Sequence, residues 1–207
     1  MTQPSVSNCS SVLRSLPCEC FQVGTAGEYA TVFLREWAPV SGGRYWGGEL
    51  VVHSTYGTFG HTWTTCAVPF KQFLLRSSFA SLMGKCLGER VQVYDGEATF
   101  KAVARDILKA RRAKELGADE AAELWDDWYC HRETIEGAED GFYLTMDYLL
   151  EPDVANRNSV LSEPAMSVCR KDNPQAAGFW AELWPLVCEV LRPAVLSAGA
   201  IEFSTTT

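Results

Sequence analysis

The stretch ELVVHSTYGTFGHTWTTC, residues 49–66, decides the fold. It is rich in β-branched and aromatic residues and is broken at Tyr56-Gly57, which reads as two strands joined by a tight turn. Upstream, residues 30–37 have the same composition, and Ser41-Gly42-Gly43 is a turn signal between the two blocks. The links are too short for crossovers, so the block predicts an antiparallel meander of three to four strands.

Downstream the periodicity changes. Pro69 suits the opening of a helix, and Phe70, Phe73, Leu74, Phe79, Leu82, Met83 and Cys86 continue one apolar stripe to Gly88, a left-handed terminator. Residues 91–94 read as a short strand and Asp95-Gly96 as a turn. In the next helix, residues 98–114, Phe100, Val103, Ala104, Ile107 and Leu108 give the apolar face. Gly117 is expected to close it and Asp119 to cap another helix, whose buried stripe is Ala121, Leu124, Trp125 and Trp128. The short link makes the pair an αα-hairpin. Residues 142–150 fit a strand or a short helix. A last helix carries Phe179, Trp180, Leu183, Trp184, Val187, Cys188 and Leu191, with Pro185 expected to kink it or split it in two and Pro193 to end it.

The fold class is therefore α+β: an N-terminal antiparallel sheet packed against several helices, including an αα-hairpin and a C-terminal helix. The expected organisation is an irregular N-terminal arm at 1–25, an α+β core at 26–150, a loop at 151–174, and a C-terminal helix and tail at 175–207. With 207 residues, 47 % of them hydrophobic, the chain has ample material for a packed core.

Charge is distributed unevenly. The formal net charge is −8, and the isoelectric point is near 4.9. That disfavours general coating of nucleic acid, which depends on Lys and Arg neutralising phosphates. Yet residues 61–114 carry 10 basic and 4 acidic side chains, whereas residues 115–163 carry 2 and 14. The cations concentrate in Lys101, Arg105, Lys109, Arg111 and Arg112, and the carboxylates of the following helix are Asp119, Glu120, Glu123, Asp126 and Asp127. The simplest reading is that the two helices neutralise one another. Otherwise the basic stripe contacts phosphates, or either stripe docks a partner of opposite sign.

Catalytic and metal signatures are sparse. His53 and His61 lie on adjacent strands and would form a small active centre only if they approached across the hairpin. Cys130 and His131 are sequence neighbours, which a helix points about 100° apart. Cys9, Cys18 and Cys20 are at best half a zinc site. The glycines of Ser41-Gly42-Gly43 and Gly47-Gly48 match no nucleotide-binding pattern. No cofactor or metal is implied, and an enzyme is the minority reading. Eight cysteines without a basic, apolar leader at residues 1–20 fit a reducing compartment, and no apolar run has the length of a membrane span.

Several segments look familiar. His53-Ser54-Thr55-Tyr56-Gly57, Val68-Pro69-Phe70-Lys71-Gln72-Phe73-Leu74, Val93-Tyr94-Asp95-Gly96-Glu97-Ala98-Thr99, Arg111-Arg112 and Glu123-Leu124-Trp125-Asp126 resemble a group of small bacteriophage and prophage proteins. The resemblance spans roughly residues 45–130 and brings no catalytic assignment. It implies a phage origin and residence in the cytoplasm of a bacterial host. Small acidic phage proteins without an active site often bind host machinery, including nucleases and CRISPR effectors. The resulting expectation is a non-enzymatic protein that binds a host or phage protein, as an inhibitor of a nucleic-acid-handling complex. The alternatives are a nucleic-acid-binding module using helix 98–114 and a small enzyme using His53 and His61.

Overall fold

The β-branched and aromatic runs fold, in the computed structural model of the chain, into one antiparallel meander followed by helices. The structure describes residues 16–39, 45–150 and 168–202. The chain divides into two compact units, Met1–Leu87 with Gly178–Thr207, and Gly88–Ala177. The expected turn at Ser41-Gly42-Gly43, most of the N-terminal arm, and residues 151–167 of the expected loop lie outside the described residues.

In the first unit, β1 (Glu19–Gly24), β2 (Tyr29–Trp37), β3 (Trp46–Ser54) and β4 (Gly57–Cys66) form a sheet in sequence order. The strand β1 falls where an irregular arm was expected, yet it pairs along its length with β2, from Glu19 against Leu34 to Gly24 against Tyr29. Only Val23 in it is buried, so it has little apolar signal. Across the sheet Val32, Val52 and Phe59 sit side by side, and with Ala30, Leu34 and Leu50 they make one buried face. Each such Val or Leu contributes about 1.5–3 kcal/mol relative to an exposed one.

The expected single helix from Pro69 to Gly88 is two: α1 (Phe70–Arg76) and α2 (Phe79–Leu87). Serines break it. Ser77 turns to extended backbone (ψ 139°) while its hydroxyl donates to the Phe73 carbonyl at 3.0 Å, and the Ser78 hydroxyl accepts the Ser81 N–H at 3.3 Å. Such local bonds compete with the helical ladder. At the start of α1, where Pro69 offers no side-chain cap, Glu36 of β2 accepts the Phe70 N–H at 2.9 Å. That carboxylate supplies the anion a helix N-terminus favours. Gly88 adopts φ +59°, the left-handed conformation expected of it. Gly48 is required for another reason: a Cβ there would lie 1.9 Å from the Phe70 ring.

The C-terminal helix answers its prolines differently from expectation. Residues Phe179–Leu183 form a π turn, closed by the Trp184 N–H donating to the Phe179 carbonyl, and α8 (Trp184–Glu202) follows. The widened turn stands directly before Pro185, where an ordinary ladder would meet the proline ring. Pro193 lies inside α8 and does not end it. One missing N–H is tolerated where Val187 and Leu191 hold the helix by burial.

In the second unit, β5 (Gln92–Tyr94) and β6 (Arg170–Asp172) form a short antiparallel ribbon, so the C-terminal end of the expected loop is a strand. The expected turn at Asp95-Gly96 is a helix start. Asp95 accepts the Ala98 N–H at 3.2 Å and caps α3 (Gly96–Ala113). This helix ends at the expected length, but the left-handed residue that closes it is Lys114 (φ +63°) and not Gly117. The earlier turn lets Leu116 reach the core. Gly117, not Asp119, is then the cap of α4 (Ala118–Cys130), and its N–H donates to Glu120 at 2.8 Å. Next come α5 (Arg132–Gly137) and α6 (Glu139–Leu149), the ambiguous segment resolving as helix, and α7 (Pro174–Gly178) follows β6. Phe100, Ile107, Leu124, Trp128, Phe142 and Met146 meet in one core.

Gly48→Ala is expected to lower unfolding stability by about 2–3 kcal/mol, because Phe70 is buried and cannot yield. Gly27→Ala, with open space around it, is the control and should stay within about 0.5 kcal/mol. Urea unfolding midpoints compare them; equal midpoints would refute the close approach. At Lys114, replacement by Gly should stabilise by about 1 kcal/mol by relieving the left-handed backbone.

Candidate interaction surfaces

The helical period that buries Val103, Ile107 and Ala110 turns Lys101, Arg105, Lys109 and Arg112 outward on α3, and all four are exposed, as is Arg111. Lys101 is committed locally: its ammonium pairs with Glu97 one turn earlier and holds that carboxyl below the usual carboxylate range. Among the described residues Arg105, Lys109, Arg111 and Arg112 form no ion pair. Arg111 and Arg112 stand in the last turn, where the helix dipole favours cations.

On α4, Asp119, Glu123 and Asp126 follow the spacing of one exposed face. Glu120 is a capping residue through its bond to Gly117, and Asp127 is half-buried. Carboxylates three and four apart on one helix repel modestly. No ion pair joins α3 to α4 among the described residues. The reason is the packing. The helices face each other through Phe100 and Trp128, whose rings stack at 5.5 Å with 13° between planes. The Trp128 indole N–H also donates to the Phe100 carbonyl at 3.2 Å. Apolar faces turned together leave the charged faces turned away.

A surface the sequence reading missed lies on α6. Burial of Phe142, Thr145, Met146 and Leu149 exposes Asp140, Tyr143, Leu144, Asp147 and Tyr148. Leu144 is 69 % exposed. The stripe is visible only once the segment is known to be helical, because neither strand nor helix was favoured by its composition.

The candidate catalytic pairs are separated. Leu50 pairs with His61 and Thr58 with His53, so the two histidines sit on opposite faces of the sheet. His53 meets the Thr58 hydroxyl at 3.0 Å, and the His61 ring rests edge-on against Trp63 at 4.6 Å. The small active centre based on His53 and His61 is thereby excluded. His131 engages the Asp127 carbonyl at 2.9 Å and the Tyr148 ring, while Cys130 is exposed beside it.

The cysteines split by environment. Cys66 is buried, and burial pushes its thiol up, aided by the Glu36 carboxylate. Cys86 and Cys188 are half-buried, and burial raises both, Cys86 to about 11. Cys18 and Cys20 are exposed, and Cys9 lies outside the described residues. No group of metal-ligating side chains gathers among the described residues. No helix among them is long and apolar enough to cross a membrane.

Compared with known proteins, residues 25–193 match the model of a family described as a phage family (Phage_phiTE_072). No curated protein and no solved structure matches the chain.

Arg105, Lys109, Arg111 and Arg112, which form no ion pair among the described residues, give salt a definite sign. In protein dilute enough to be monomeric, raising NaCl from about 0.05 to 0.5 M should raise the urea midpoint, because screening relieves repulsion within this stripe. A falling midpoint would show that the stripe is neutralised within the molecule.

Proposed function

Because the chain belongs to this phage family across residues 25–193, we propose that it is a non-enzymatic interaction protein that binds a host or phage protein. The observation that carries the reading is the outward-facing pair of Asp119 and Asp126 on α4, a helix whose other face is fixed in the core by Leu124 and Trp128. A rigid element presenting a single sign of charge is suited to steer and align a partner of opposite sign. The partner class is a protein with a basic surface, such as the nucleic-acid-binding face of a nuclease or a CRISPR effector. The separation of His53 from His61 favours binding over catalysis.

A phosphate-contacting role for α3 is the second reading, favoured by Arg105, Lys109, Arg111 and Arg112, which form no ion pair among the described residues. It requires a low-salt gel shift with single- or double-stranded nucleic acid that Arg105→Glu with Lys109→Glu removes.

Affinity capture from a bacterial host lysate tests the leading reading. The wild-type chain should retain a basic protein at moderate salt, and Asp119→Lys with Asp126→Lys should release most of it. Retention unchanged by that reversal, or no retained protein, would refute docking through α4.

A further inference from the structure

The exposed faces of α3 and α6 have the same spacing and opposite sign. On α3, Arg105 and Arg112 are seven residues apart with Leu108, 46 % exposed, between them. On α6, Asp140 and Asp147 are seven residues apart with the more exposed Leu144 between them. Seven residues are about two turns, or roughly 10.5 Å along either helix.

The match extends to register. Laid antiparallel with Leu108 against Leu144, the helices set Arg105 against Asp147 and Arg112 against Asp140. The same register sets Lys109 against Tyr143, a cation over an aromatic side chain. A parallel arrangement through the same leucines would set Arg105 against Gly141 and Arg112 against Tyr148, with no charge pairing. Orientation is therefore specified as well as sign.

Within one molecule these stripes are not joined. Both helices send their apolar faces into the same core, and the five residues Arg105, Lys109, Arg112, Asp140 and Asp147 form no ion pair among the described residues. We propose that the chain self-associates, α3 of one copy lying antiparallel on α6 of a second copy. Each molecule carries both stripes, so a two-fold pair in which both face the same partner uses the contact twice and closes as a dimer. Exposed ion pairs are individually weak and screened by salt, so the dimer is salt-sensitive and the leucine contact supplies its dry centre.

Sedimentation velocity of the full chain tests this across a concentration series at about 0.05 and 0.5 M NaCl. The expected result is a dimer at low salt that dissociates at high salt. Asp140→Arg with Asp147→Arg should weaken it about tenfold or more, and Arg105→Asp with Arg112→Asp likewise. Mixing those two variants should restore a one-to-one dimer, because the reversed stripes are complementary again. Circular dichroism confirms that each is folded, and Leu144→Arg, a single exposed change, gives an independent disruption.

A wild-type monomer throughout, variants that associate like wild type, or a mixture that stays monomeric would each overturn the proposal. Nucleic-acid binding lost on α3 reversal, without any self-association, would assign the basic stripe to phosphates instead. The proposal goes beyond the partner reading, and lysate capture through α4 succeeds or fails separately from it.

Discussion

The fully buried indole of Trp128 holds the charge geometry of the second unit in place. It stacks on Phe100 and hydrogen-bonds that residue's carbonyl, so α3 and α4 have little freedom to roll about their axes. Once those faces are fixed inward, the positions of every cation on α3 and every carboxylate on α4 follow from the helical period. An αα-hairpin could have closed the two charge sets on each other. Aromatic packing outweighs that, since exposed ion pairs are worth at most about 1 kcal/mol each while a buried aromatic contributes more.

Much of this was legible in the sequence, for identifiable reasons. The strands β2 to β4 follow one another through short links, so composition alone sets order and direction. The face of α3 is legible because Val103, Ile107 and Ala110 repeat cleanly. What escaped is what depends on partners distant in sequence. The strand β1 is recognised by its pairing with β2, not by its residues. The break at Ser77-Ser78 rests on two local hydroxyl bonds that compete with an otherwise good helical stripe. The histidines needed the register: strand membership was right, but a three-residue offset along β3 between His53 and the partner of His61 reverses the face.

The candidate surfaces divide the same way. The residues of the α3 and α4 stripes could be named from their types and spacing, whereas their failure to pair could not. The stripe on α6 required a decision between strand and helix first. Helix formation there converts Asp140, Tyr143, Leu144, Asp147 and Tyr148 from a mixed run into one contiguous face. Binding in a protein of this kind is a property of which way helices are turned, more than of which residues they contain.

The π turn at Phe179–Leu183 has a consequence of a different sort. A π turn is a helix with one residue too many, the form an insertion takes when the helix on either side must keep its angular position. Deleting one residue from this turn would restore regular α-helix and leave Val187 and Leu191 facing the core, whereas the same deletion further along the helix would rotate everything after it by about 100°. The turn thus acts as a phase corrector for the C-terminal helix, a place where the chain can change length by one residue without turning its buried face outward.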